Sequence, residues 1–101
     1  MNSNAEASAR AGGDARAIQE MLLFVVRSLA DHPDDVAVAL ISGEEGDVFE
    51  VQVHVADIGR IIGKNGQTVR ALHAIVNANA MKSGRRFHVD IVEAGEDLNQ
   101  S

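Results

Sequence analysis

The chain of 101 residues contains no cysteine, no tryptophan and no tyrosine. Without cysteine it can form neither a disulfide framework nor a thiolate metal site. No apolar run approaches the roughly 20 residues that a bilayer-spanning helix needs, and the first residues lack the apolar stretch of a signal peptide. These absences, together with a length suited to one domain, predict a cytoplasmic protein without a membrane anchor.

The charge is distributed unevenly along the chain. The net charge of −6 argues by itself against nucleic-acid binding, which usually requires a basic surplus. Between residues 56 and 88, however, six basic residues stand against Asp57 alone, a balance of +5, whereas the remaining three basic and 14 acidic residues give −11. The basic segment could offer a polyanion one favourable face. The alternative is that these charges lie wherever they are solvated.

The hydrophobic pattern predicts three helices and three strands. Apolar residues recur at helical spacing over 18–29, and they alternate with polar residues over 49–53 at the period of a half-buried strand. Pro33 should end the first helix near Asp31. The remaining predicted elements are a strand over 36–41, helices over 56–62 and 67–81, and a strand over 87–92.

The order α-β-β-α-α-β predicts an α+β fold in which the helices cover one face of a three-stranded mixed sheet. Residues 1–16 lack periodicity and contain a glycine pair, so they are expected to form a mobile leader. Residues 17–93 would then make up the domain, and 94–101 a polar tail.

Residues 63–66, Gly-Lys-Asn-Gly and hereafter the GKNG loop, connect the last two predicted helices. Two glycines separated by two polar residues allow a tight turn in which no Cβ obstructs an approaching chain. The N-terminus of the following helix favours an anion, and Arg60, Lys64 and Arg70 add positive charge. The loop is therefore a candidate phosphate clamp, although a bare G-x-x-G spacing also occurs in ordinary helix connections.

Residues 58–72, I-G-R-I-I-G-K-N-G-Q-T-V-R-A-L, lie between a predicted hairpin and a final helix and strand. In motif and element order this resembles the KH domain family in its type II arrangement. The resemblance covers about residues 18 to 93 and extends to the short bacterial KhpA family. It implies that Gly63, Lys64, Asn65 and Gly66 hold the backbone of about four single-stranded nucleotides.

The same resemblance assigns roles to the residues before the loop. It implies that Gly59 and Ile61 line the groove in which the bases lie. Ile62 would then point into the core and hold the loop in position.

Other kinds of site have weak support in the sequence. Phe24, Phe49 and Phe87 lie on or beside apolar stripes, so they are expected in the core and not as the stacking platforms of other RNA-binding folds. The four histidines lack metal-ligand spacing and are interpreted as solvated or edge positions. Neither a nucleophile elbow nor a P-loop occurs. We therefore expect no enzyme, no cofactor and no metal.

Residues 71–81 carry no formal charge, and Ala71, Ile75 and Ala78 fall together away from the predicted core stripe. Small residues there could permit close approach of helices in a homodimer. The resemblance also implies pairing with a larger KH-containing protein. The alternative is that alanine is simply a good helix former.

Two functions remain open at this point. One is a non-catalytic RNA-binding module that acts in post-transcriptional regulation or as an RNA chaperone. The other is a dimerisation adaptor whose contact with RNA is incidental.

Overall fold

A computed structural model of the chain describes the backbone of residues 3–44, 46–83 and 86–95, and the side chains of residues 15–44, 46–78 and 86–95. The elements follow the predicted order. They are α1 Ser3–Leu29, β1 Ala37–Ser42, β2 Asp47–Val53, α2 Ile58–Ile62, α3 Gln67–Ser83 and β3 Phe87–Glu93. Three 3-10 turns join them, at Pro33–Asp35, Val55–Asp57 and Lys64–Gly66.

The sheet is built around β2. Strand β1 pairs with it in antiparallel orientation and β3 in parallel orientation, which confirms the predicted mixed sheet. Along β2, buried residues alternate with half-buried ones, so the helices cover only one of its faces. A parallel pair needs a long crossover connection. Here α2, the GKNG loop and α3 supply it, and the loop is therefore attached to the sheet through a helix on each side.

One hydrophobic core lies between the sheet and the helices. Leu22 and Val26, four residues apart on α1, are fully buried, and so is Val76 of α3. The rings of Phe49 and Phe87 pack against each other with their centroids 5.2 Å apart. The other buried apolar residues are Ile18, Val36, Val51, Val53, Ile61, Leu72 and Val89.

Helix α1 begins at Ser3, well before the apolar pattern that starts at Ile18. The additional residues are rich in alanine, which favours a helix without any apolar stripe, and Gly12 and Gly13 lie within it. The expectations of a mobile leader and a polar tail stay predictions, because most of these residues lie outside the described side chains. Neither α1 nor another helix in the described ranges is long and apolar enough to span a membrane.

Phe24 does not lie in the core, and the prediction that it would is wrong. Its side chain is 74 % exposed, whereas Phe49 and Phe87 are buried as predicted. Phe24 is two residues away from both Leu22 and Val26, which places it about 200° around the helix from each of them. It flanks the apolar stripe and points away from the sheet.

Candidate nucleic-acid interface

Three of the four residues of the GKNG loop have a positive φ. Gly63 has φ 83° and ψ 168°, a region that glycine alone occupies routinely. Asn65 has φ 56° and ψ 26°, the left-handed region that asparagine enters more easily than most residues. Gly66 has φ 73°. The residue types of the loop therefore match the backbone that they adopt.

The loop is packed closely against the start of α3. A Cβ at Gly63 would stand 2.8 Å from the backbone nitrogen of Thr68 and would also collide with the Thr68 side chain. The Gly63 N–H donates to Gly59 O at 2.8 Å, and the Gly66 N–H donates to Gly63 O at 3.0 Å. These contacts hold the loop between α2 and α3.

Gly59 has a different environment. A Cβ at Gly59 would meet nothing within 4 Å, and the residue is exposed. Its absent side chain therefore leaves an open surface one helical turn before the loop. That is consistent with the expectation that Gly59 lines a groove.

Two cations lie at the loop itself. Lys64 is exposed within it, and a Cβ at Gly66 would stand 3.2 Å from Nη1 of Arg70, so the Arg70 guanidinium lies over Gly66. The 17-residue helix α3 begins directly after the loop, and the partial positive charge of its N-terminus adds to these cations. The arrangement can attract a phosphate group from several directions.

Arg60 is engaged elsewhere in this conformation. Its Nη2 donates to Oδ2 of Asp31 at 3.2 Å, and both side chains are more than half exposed. Exposed ion pairs contribute only about 0–1 kcal/mol. Arg60 could therefore exchange Asp31 for a phosphate at little cost.

The two isoleucines at the end of α2 are placed in the reverse of the expected way. Ile61 is 0 % exposed and belongs to the core, whereas Ile62 is half-buried. With about 100° per residue, Ile62 and Gly63 share a face with Gly59, and Ile61 lies about 200° from Gly59. The expectation that Ile61 lines the groove is therefore wrong. Ile62 is the side chain that reaches this face.

A polar cluster at the start of α2, hereafter the α1–α2 junction, consists of Asp31, His32, His54 and Asp57. Asp57 is only 1 % exposed. Its Oδ1 accepts the N–H of Asp31 at 3.2 Å, and its Oδ2 accepts the N–H of His32 at 2.9 Å. The Nδ1 of His32 lies 3.2 Å from the same Oδ2, and the His32 ring stacks on His54 with centroids 3.9 Å apart.

The Asp57 carboxyl is held in its ionised form. Burial raises its pKa, but hydrogen bonds from the backbone N–H groups of His32 and Asp31, and from the His32 side chain, outweigh that effect. The net result is a pKa below the ordinary value of 3.8. Asp57 is the one acidic residue between positions 56 and 88, and its burial removes its charge from the surface of the basic segment.

The sequence predicts solvated or edge positions for the histidines, and His32 is indeed exposed, but three of the four make contacts that this prediction does not include. His32 and His54 belong to the junction, and Nε2 of His73 lies 2.8 Å from Val89 O, which connects α3 to β3. His88 is exposed. No sequence signal points to these contacts, because the partners are 16 to 25 residues apart. Within the described ranges no three His, Asp or Glu side chains are grouped to hold a metal.

The expected dimer face is exposed on α3. Ala71, Ile75 and Ala78 all reach the surface, and Ile75 is 47 % exposed. Leu72 and Val76, on the other side of the helix, are buried as predicted. The structure thus separates an apolar outer face of α3 from its core face.

Residues 19–91 match the family model described as the KhpA/KhpB KH domain. The chain is also similar to curated proteins named "RNA-binding protein KhpA". The relative from Leifsonia xyli subsp. xyli is 47 % identical over 72 residues, which are 71 % of this chain and 92 % of the relative. The relative from Streptomyces coelicolor is 43 % identical over 76 residues, which are 75 % of this chain and 92 % of the relative. The relative from Borreliella burgdorferi is 36 % identical over 74 residues, which are 73 % of this chain and 90 % of the relative. No solved structure matches the chain.

Proposed function

The chain belongs to the KhpA/KhpB family of KH domains, and on that premise we propose that it binds single-stranded RNA by gripping the backbone with the GKNG loop. The observation that carries the proposal is the tight turn of this loop, whose glycines and asparagine take positive φ values and which lies beside the cations of Lys64 and Arg70. The family is one of non-catalytic RNA-binding domains, so the chain is not an enzyme.

The surface formed by Gly59 and Ile62 beside the loop would offer few polar groups to a base. Gly59 offers open backbone surface and Ile62 a half-buried aliphatic side chain. An aliphatic side chain stabilises any base that displaces water from it, so it does not distinguish one base from another. Hydrogen bonds to base edges are the contacts that carry sequence information. The protein should therefore have little sequence preference of its own.

The contact with RNA is small and its affinity should be modest. The loop spans about four nucleotides, and Lys64 and Arg70 are the cations beside it. A second RNA-binding unit, in a dimer or in a partner, would raise the affinity by avidity. We place this activity in the cytoplasm, in post-transcriptional regulation or as an RNA chaperone.

Replacing both Lys64 and Asn65 by aspartate tests the proposal. Aspartate also tolerates the left-handed backbone of position 65, so the domain should stay folded. Negative charge in the loop should repel the phosphates and lower the affinity for a short single-stranded RNA by about tenfold or more. Fluorescence anisotropy with a labelled oligonucleotide measures the effect.

The control for this variant changes the net charge by the same amount elsewhere. Arg16→Asp with Ala17→Asp does so on the exposed surface of α1, and it should bind RNA almost as the wild type does. A folded Lys64→Asp, Asn65→Asp variant with unchanged affinity would contradict the assignment of the loop.

A second candidate function, a dimerisation adaptor, is favoured by the uncharged outer face of α3. Ala71, Ile75 and Ala78 expose aliphatic surface there, and this face could meet a second copy or a larger KH-containing partner of the KhpB type. Ile75→Glu should shift sedimentation towards the monomer. Asn77→Glu places the same charge about 200° around the helix and serves as the control. If both variants sediment as the wild type does, this face is not the interface.

A further inference from the structure

Asp57 does not make the bond that its position favours. It lies at the N-cap of α2, where an aspartate usually accepts an N–H of the first helical turn. The side chain makes no such bond. Its two oxygens accept the N–H groups of Asp31 and His32 instead, which lie 26 and 25 residues earlier in the chain. The carboxylate is used to connect two elements that are distant in sequence.

This use of a carboxylate is costly. An ionised group that is 1 % exposed has lost almost all of its water. Burial of a charge is tolerated only when donors converge on it. Two backbone N–H groups and the His32 ring do so here.

The connection determines how α2 lies in the fold. The helix has five residues and is about 7.5 Å long. Ile61 is buried in the core and Ile58 packs against it, but apolar contacts are not directional and fix the orientation of so short a helix less strictly than hydrogen bonds do. Asp57 adds a directional attachment at the first turn, to the segment that follows α1. The exposed ion pair of Arg60 with Asp31 joins the same two parts of the chain but contributes little. The direction of α2 is thereby fixed relative to the end of α1.

The GKNG loop follows α2 without a break, so the direction of α2 determines where the loop presents its backbone. We propose that Asp57, acting with His32, is a positioning residue for the RNA-binding surface. It touches no nucleotide. It holds α2 in one orientation, so that Gly59 and the loop are presented together on the same surface. Its burial also keeps acidic charge off the basic segment. This inference rests on the proposed RNA function.

Asp57→Asn is the test. Asparagine has the same shape but replaces one accepting oxygen with a donor, so it cannot accept both backbone N–H groups of the junction. We expect the affinity for single-stranded RNA to fall about tenfold, at a temperature well below the melting transition. Without RNA, the amide resonances of Gly63 and Gly66 should shift in NMR spectra.

The dependence of binding on salt separates positioning from direct contact. Loss of a phosphate contact, as in a Lys64 variant, should reduce the slope of log affinity against log salt by about 0.7. Asp57→Asn removes no cation, so its slope should equal that of the wild type. Asp90→Asn, which removes an exposed carboxylate on β3, is the matched control and should change neither affinity nor loop resonances.

Two further outcomes keep the test decisive. If Asp57→Asn does not fold, His32→Ala removes the ring but leaves both backbone donors, and it should show the same effects to a smaller extent. A folded Asp57→Asn protein with wild-type affinity and unshifted loop resonances overturns the inference. If the wild type binds no RNA but the loop resonances still shift, the proposed function fails while the positioning of the loop by Asp57 is supported.

Discussion

The two ends of α2 are held in place by different means. At its start, the side chain of Asp57 reaches back to the chain that follows α1. At its end, the GKNG loop is shaped by its backbone, with Gly63 and Gly66 at positive φ. A side-chain connection weakens when one hydrogen-bonding group is lost, whereas a backbone turn of this kind fails when a single Cβ is added. The two ends should therefore respond to different substitutions.

Ile61, which lies between the two ends and supports both, should give the largest effect. Ile61→Ala leaves a cavity in the core and should lower the free energy of unfolding by about 2–5 kcal/mol. Ile62→Ala removes a half-buried side chain and should cost clearly less. Urea denaturation of both variants checks this order. A larger loss of unfolding free energy in Ile62→Ala than in Ile61→Ala would contradict the burial of Ile61.

Gly63→Ala should have the next largest effect, because it acts on the backbone end of the comparison. Its φ of 83° and the contact with Thr68 exclude a side chain, so the strain should cost about 1–3 kcal/mol and the loop should lose RNA binding. Gly59→Ala is the control, since a methyl group there meets nothing within 4 Å. It should leave stability equal or raise it by up to about 1 kcal/mol. Equal losses of stability in both variants would contradict the claim that the backbone requires glycine at position 63 but not at position 59.

Acid should weaken only the side-chain end. Because the pKa of Asp57 lies below 3.8 in the folded protein, its hydrogen bonds stabilise the fold fully above the unfolded pKa of about 3.9 and lose that contribution as the pH falls through the folded value. His32 contacts this carboxyl, and His54 stacks on the His32 ring. Arg60 pairs with the side chain of Asp31, whose N–H donates to Asp57.

The measurement compares thermal unfolding of the wild type and Asp57→Asn from pH 7 to pH 2. The difference in stability should be constant above about pH 5 and should shrink below about pH 4. A difference that stays constant down to pH 2 would show that ionised Asp57 does not stabilise the junction.

Much of the fold could be predicted because its signals are local. Alternation over 49–53 and helical spacing over 18–29 locate β2 and the buried face of α1, and both predictions are confirmed. The five residues of α2 span less than two turns, so apolar spacing cannot fix which isoleucine faces inward. The exposure of Phe24 is not predictable for a related reason, since a residue beside an apolar stripe has no periodic signal of its own.

The sequence alone determined the family, the order of the elements and the shape of the GKNG loop. Glycine and asparagine permit a positive φ through the sterics of a single residue, so the sequence allows the tight turn of this loop. Only the tertiary structure decided that Ile61 is buried, that Phe24 is exposed and that Asp57 meets His32. Those placements depend on which elements pack together, because a buried carboxylate needs donors that folding brings from a distant part of the chain.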